Sequence, residues 1–196
     1  MASISNKAQA MPASAIRKLV PLADAAKKQG VKVYHLNLGQ PDIKSPKCAL
    51  DAVRNHQMEN VSYSHSAGLM ELRKGLVEKY YKKIGIDITV DELIVTVAGS
   101  ESVNLALEIT CNPGDEVLVL EPFYTNYNTF AFMNGLTLKA IPTDIRNGFQ
   151  IPPIEEFEKA ITDRTKAILV CNPGNPTGTL YSKESMLALG EIARRH

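Results

Sequence analysis

The sequence predicts an α/β fold: a mainly parallel sheet in three layers, with helices on both faces. Three observations carry it. Short apolar runs, the pattern of strands buried on both faces, occur at 116–120 and 166–171. Segments of helical character alternate with the strands, as βαβ units require. The run Ala167-Ile168-Leu169-Val170-Cys171 passes directly into Asn172-Pro173-Gly174-Asn175-Pro176-Thr177-Gly178. That is a rigid turn presenting one amide at a strand's carboxyl end, the edge where open α/β sheets bind ligands.

Taken in order, a first helix is expected over 15–29, stopped by Gly30 and open to a kink at Pro21. An extended piece at 33–38 leads into the turn Gly39-Gln40-Pro41-Asp42. Ser45 followed by Pro46 reads as N-cap and first residue of a helix reaching Asn55. A stronger helix spans 69–83, with Leu72, Leu76 and Tyr80 four apart on one face and Gly85 as its stop. Strands follow at 92–97, 116–120, 136–141 and 166–171. Between and after them lie helices starting near Ser100 and at 125–133, 154–161 and 183–195. The crossovers are expected to be right-handed. The last helix reaches Arg194-Arg195-His196 without a Gly, Asn or Pro stop, so the chain reads as a segment of a longer protein.

Composition narrows the function. The chain has 196 residues, 44% hydrophobic, with a net charge of +1, which suits one domain or one and part of another. Dispersed Lys and Arg give no basic stripe for nucleic acid. No apolar run has membrane-spanning length, and the polar N-terminus has no signal-peptide core. Three widely spaced cysteines read as reduced, buried thiols of a cytoplasmic protein. The four histidines lack ligand spacing, so no metal site is expected.

The candidate chemistry lies at strand ends. Val97-Ala98-Gly99-Ser100-Glu101 joins a strand to a helix. The amides of Gly99, Ser100 and Glu101, helped by the Ser100 hydroxyl, suit a phosphate; Ser100 as a simple N-cap is the competing reading. No Walker loop, G-x-G-x-x-G or nucleophile elbow is present. Tyr124, within Pro122-Phe123-Tyr124-Thr125-Asn126-Tyr127, is placed to stack on a planar ring or to pack on its own loop. Tyr63, in Tyr63-Ser64-His65-Ser66-Ala67-Gly68, adds a phenol before a helix. An anion cradle, an aromatic face and the Asn175 amide together describe a pocket for a flat, phosphorylated, hydroxylated heterocycle.

These residues resemble the first half of a fold-type I, pyridoxal-phosphate-dependent aminotransferase of the class I/II group that includes aspartate aminotransferases. The resemblance runs from about Ser14 to His196. It rests on Leu38-Gly39-Gln40-Pro41-Asp42, Tyr63-Ser64 with Ala67-Gly68 and Glu71-Leu72-Arg73, Val97–Glu101, Asn112-Pro113-Gly114-Asp115-Glu116-Val117, Glu121-Pro122-Phe123-Tyr124 and, most specifically, Asn175-Pro176-Thr177-Gly178. It implies pyridoxal 5'-phosphate as cofactor and an amino acid and a 2-oxo acid as substrates. It further implies a homodimer with shared active sites, no nucleic acid and no membrane. Residues 1–45 would be the N-terminal arm and small-domain segment, and 46–196 the start of the cofactor-binding large domain. Gly39 would meet the substrate α-carboxylate with backbone. Gly99, Ser100 and Glu101 would hold the cofactor phosphate, Tyr124 would stack on the pyridine ring, and Asn175 would donate to its phenolic oxygen. Tyr63 would reach the neighbouring subunit's cofactor phosphate. Glu101 stands where relatives often carry Gln or Lys, and Tyr124 where aspartate-specific relatives often have Trp. The family's Schiff-base lysine has no counterpart in this chain, so no catalytic residue is assigned and the chain alone is expected to be inactive. A carbon–sulfur lyase of the same fold and a non-catalytic assembly module are the alternatives.

Overall fold

The computed structural model describes residues 3–14, 16–57 and 59–196. Its helices are α1 (Asn6–Ala10), α2 (Val20–Lys28), α3 (Lys47–Asn55), α4 (Met70–Leu76), α5 (Ala98–Thr110), α6 (Asn126–Asn134), α7 (Ile154–Ala160) and α8 (Lys183–Arg195). The strands are β1 (Glu116–Glu121), β2 (Thr137–Pro142) and β3 (Thr165–Leu169). Residues 1–34 with 103–196 make one compact unit and 35–102 another.

In the first unit the strands form a parallel sheet in the order β2-β1-β3. The central strand is buried on both faces: Val117 and Leu118 are 0% exposed, Val119 2% and Leu120 6%. Leu118 and Leu120 pack with Ile141, Phe157 of α7, and Leu189 and Ile192 of α8. Val117 faces the opposite layer, with Leu107 and Cys111 at the end of α5 and Ala131 of α6. These are the three layers expected, because a strand covered by helices on both sides must be apolar throughout. Glu116 opens β1 as a buried carboxylate. It accepts hydrogen bonds from Thr162 Oγ1 at 2.6 Å and Arg164 Nη2 at 2.7 Å, and pairs with Lys139 Nζ at 3.3 Å. Burial of a charge is tolerable only with such pairing.

Several local expectations are corrected. The first helix changes type at Val20: a 3₁₀ turn over Arg17–Leu19 precedes α2, which carries Pro21 in its first turn. A missing N–H costs nothing there. Ala15, the expected start, lies outside the described residues. Pro46, not Ser45, is the N-cap of α3. Residues 33–38 form no ladder. Residues 92–97 form none either: after the 3₁₀ turn Val90–Glu92 the chain runs extended, with Ile94 67% and Val97 84% exposed. The Val95 N–H donates to the Ala67 carbonyl at 3.0 Å instead. A β-carbon on Gly68 would fall 2.6 Å from Val95 Cβ, so this approach requires glycine.

The helix expected over 69–83 is α4, then a single π turn over Val77–Tyr81 and a 3₁₀ turn ending at Gly85. The wider π turn takes Tyr80 out of the four-residue stripe. Leu72 and Tyr80 are exposed, while Arg73 is buried and donates through Nη1 to the Val90 carbonyl at 2.7 Å. Among the described residues no helix is long and apolar enough to cross a membrane, and no cluster of His, Cys, Asp or Glu suits a metal.

Candidate functional site

The turn after β3 is built by its own side chains and backbone. The Asn172 Oδ1 accepts from the Tyr181 N–H at 3.1 Å. The Gly174 N–H donates to the Thr179 carbonyl and the Gly178 N–H to the Gly174 carbonyl, both at 2.7 Å. The buried Thr179 hydroxyl donates to the Gly148 carbonyl at 2.8 Å. A β-carbon on Gly174 would lie 2.6 Å from Thr177 Oγ1, so glycine lets the turn close on itself. Asn175 is exposed at the tip of this framework.

Tyr124 follows β1 and is half-buried. Its hydroxyl accepts from Asn126 Nδ2 at 2.6 Å, and its ring stands edge-on to Tyr127 at 5.5 Å. Pro122, Phe123, Tyr127, Cys171, Gly174, Asn175 and Tyr181 line one crevice of about 10 Å³, room for about one water. The ends of β1 and β3 therefore bring the Asn175 turn against the aromatic segment that contains Tyr124. A larger cleft of about 340 Å³, lined by residues 12–14, α6 and β2, contains none of the sequence-predicted site residues.

In the unit 35–102, the start of α5 has an unusual entry. Ala98 has φ +66°, a left-handed value uncommon outside glycine. A left-handed residue followed by helical ones turns successive N–H groups toward one point, a concavity suited to an anion, and the helix dipole adds positive potential. Gly99, Ser100 and Glu101 are exposed in this first turn. The Glu101 carboxylate folds back to accept the Val97 N–H at 2.5 Å, so it caps the entry rather than filling the concavity. Gly39 is exposed, beyond a turn at 36–37 rather than within the turn expected over 39–42, with nothing within 4 Å of where a β-carbon would stand. Tyr63 is fully exposed, at 106%.

Sequence reasoning missed four residues: Ala98 as the left-handed pivot, Asn172 and Thr179 as the braces of the turn, and Tyr127 as the buried ring behind Tyr124. Tyr127 left no helical-spacing signal, because Tyr124 lies before α6 and its N-cap Thr125. The thiols also differ from expectation: Cys111 is buried and Cys171 half-buried, but Cys48 is exposed.

The model of the family "Aminotransferase class I and II" matches residues 31–196. The chain is 36% identical over 197 residues to the aspartate/prephenate aminotransferase of Thermus thermophilus, covering 100% of this chain and 51% of that protein. It is 32% identical over 193 residues to the aspartate aminotransferase of Thermotoga maritima, covering 98% and 51%. Among solved structures, an alanine aminotransferase from Pyrococcus furiosus superposes with a TM-score of 0.88 at 37% identity, over 98% of this chain and 50% of that one. The aspartate aminotransferase of Thermotoga maritima gives 0.89 at 32% identity, over 98% and 51%. The chain thus spans about half the length of the relatives it matches. A parallel sheet with helices on both faces, a family match over residues 31–196 and these superpositions lead to one assignment: the chain belongs to the class I and II aminotransferases.

Proposed function

We propose that this chain is the cofactor-anchoring part of a cytoplasmic, pyridoxal-phosphate-dependent aminotransferase that acts on an amino acid and a 2-oxo acid, of the aspartate type or a close relative. Bound pyridoxal phosphate supplies an electron-accepting ring and a carbon that carries the amino group between substrates. The residues present fit that group. The concavity at Ala98–Glu101 suits its phosphate, with Gly99, Ser100 and Glu101 donating N–H groups and Ser100 a hydroxyl. Tyr124 presents an aromatic face. The exposed Asn175 amide, on a turn braced by Asn172 and Thr179, is free to donate to the ring oxygen. Gly39 leaves room for a substrate carboxylate beside the backbone. Tyr63 is exposed as a residue reaching a partner subunit's phosphate would be, which goes with a homodimer sharing its sites. Residues 1–45 serve as arm and small-domain segment and 46–196 as the start of the cofactor domain.

The observation that carries this reading is Ala98. A left-handed alanine costs about 1 kcal/mol or more, and an anion seated on the amides that follow gives a reason to keep it. This chain holds and orients; the lysine that moves the substrate proton is not among its residues. The test is titration of the purified chain with pyridoxal phosphate, followed by tyrosine fluorescence, and an amino-transfer assay on the same sample. Saturable binding, competed by inorganic phosphate and accompanied by no turnover, is expected. Absence of binding sinks the cofactor reading, and turnover by the chain alone sinks the division of labour.

A further inference from the structure

Arg73 belongs to the Glu71-Leu72-Arg73 motif, which the candidate site leaves unused, and it is the buried residue of α4, 3% exposed. Among the described residues no carboxylate pairs with it. Its Nη1 donates to the Val90 carbonyl at 2.7 Å, and its Nη2 meets the Met70 sulfur, a weak acceptor, at 4.0 Å. Its Nε has no hydrogen-bond partner. An enclosed guanidinium without a counter-charge is costly. A leucine or methionine would fill the place with no such cost, so what the arginine adds is a charged donor, aimed at one carbonyl.

That carbonyl belongs to the turn that leads into α5. Val90 opens the 3₁₀ turn Val90–Glu92, whose capping box has the Thr89 N–H and hydroxyl donating to the Glu92 carboxylate at 2.8 and 2.9 Å. Residues 93–97 then run outside any ladder to Ala98. A second tie reaches the same stretch of chain: the Val95 N–H donates to the Ala67 carbonyl at 3.0 Å, beside Gly68. Beyond Val95 the chain bonds to itself. The Ala98 N–H donates to the Thr96 carbonyl at 3.0 Å, the Thr96 and Ser102 hydroxyls bond at 2.6 Å, and the Val97 N–H donates to the Glu101 carboxylate at 2.5 Å. Residues 67–73 thus hold this lead at two points, Val90 and Val95, just before the left-handed Ala98.

We propose that Arg73 is a positioning residue for the anion concavity: by fixing the Val90 carbonyl, its guanidinium sets the path of residues 93–97 and holds Ala98–Glu101 in place before a phosphate arrives. A charge-assisted hydrogen bond is about twice as strong as a neutral one. A concavity ordered in advance spares the ligand the cost of ordering it. The role at the concavity rests on the pyridoxal-phosphate reading above, whereas the hold on residues 90–97 is a property of the free chain.

The test compares wild type with Arg73→Met, which keeps an unbranched side chain and removes the donor, and with Arg73→Lys, which keeps the charge on a shorter reach. Each is measured for amide hydrogen exchange by mass spectrometry, for its urea midpoint, and for its dissociation constants with pyridoxal phosphate and with pyridoxal, which lacks the phosphate. Arg73→Met is expected to speed exchange at Val95 and over 98–103 while β1 keeps its wild-type protection. Its preference for pyridoxal phosphate over pyridoxal should fall roughly 3- to 30-fold, part of the worth of one charged hydrogen bond, with the pyridoxal constant unchanged. Arg73→Lys should fall between the two, and it carries the comparison if Arg73→Met does not fold. A lower urea midpoint with the preference intact makes Arg73 merely structural and overturns the proposal. Unchanged exchange over 93–103, or exchange that rises equally in β1, overturns it too. If wild type shows no preference for the phosphorylated compound, the positioning role falls with the cofactor reading, and exchange at Val95 alone decides whether Arg73 holds residues 90–97.

Discussion

Asn175 illustrates how much a residue depends on what presents it. Its side chain is exposed, so its removal costs the fold little, and its proposed value is one hydrogen bond to a ligand. Asn175→Ala is expected to weaken pyridoxal phosphate binding by about 0.5–1.5 kcal/mol, or roughly 2- to 10-fold, with the melting temperature unchanged; equilibrium titration beside a thermal melt checks both. The residue was legible in the sequence because an asparagine between two rigid turns at a strand end has little to do structurally. Gly99, Ser100 and Glu101 were legible for a similar reason, as an exposed helix start. Tyr127 was not. Whether a tyrosine is a solvent-facing ring or a buried prop depends on neighbours 44 or more positions away, such as Cys171, which no local pattern encodes.

Among the elements, β1 is the one the rest is built around. Leu118 is 0% exposed and lies in one buried cluster with Phe157 of α7 and Leu189 and Ile192 of α8, so Leu118→Ala is expected to cost about 2–5 kcal/mol. Leu187→Ala, on the exposed side of α8 at 56%, should stay within about 0.5 kcal/mol. Urea midpoints separate the two. The other end of β1 sets an acid limit. The Thr162 hydroxyl foremost, with Lys139 and Arg164, holds the Glu116 carboxyl below its ordinary 4.5, against the opposing effect of burial. A pKa depressed in the folded state adds stability above the unfolded value and loses it as pH falls through the folded one. Glu116→Gln should therefore be less stable than wild type at pH 7, and the gap should narrow below pH 4.5, read from urea midpoints across that range. The strands at 116–121, 137–142 and 165–169 were legible because a buried parallel strand announces itself by apolarity. The segment 92–97 has the same composition but no ladder, since a strand exists only when another lies beside it. The stripe Leu72, Leu76, Tyr80 failed at Tyr80 because it assumed 3.6 residues per turn through a π turn; Leu72 lies before that turn, in α4, where Arg73 is the buried residue.

For the molecule as a whole, the surface is informative. Leu36 is 97% exposed, Val61 91% and Ile43 84%, and apolar side chains left uncovered in such numbers favour association. Sedimentation of the purified chain is expected to show concentration-dependent self-association; a monodisperse monomer at all concentrations contradicts it. The sequence by itself determined the class of fold, the order of strands and helices in the sheet-bearing part, the family and the turn that carries Asn175. The fold class, the element order and the turn follow from periodicity, apolar runs and turn chemistry, which are local properties; the family followed from the resemblance of the motifs. Only the tertiary structure decided that Arg73 rather than Leu72 is buried, that Ala98 turns left-handed, that Glu101 caps its own helix, and that Tyr127 stands behind Tyr124 against Cys171. Each of those depends on which distant groups exclude water or supply a hydrogen-bond partner, and that is settled only when the chain has folded.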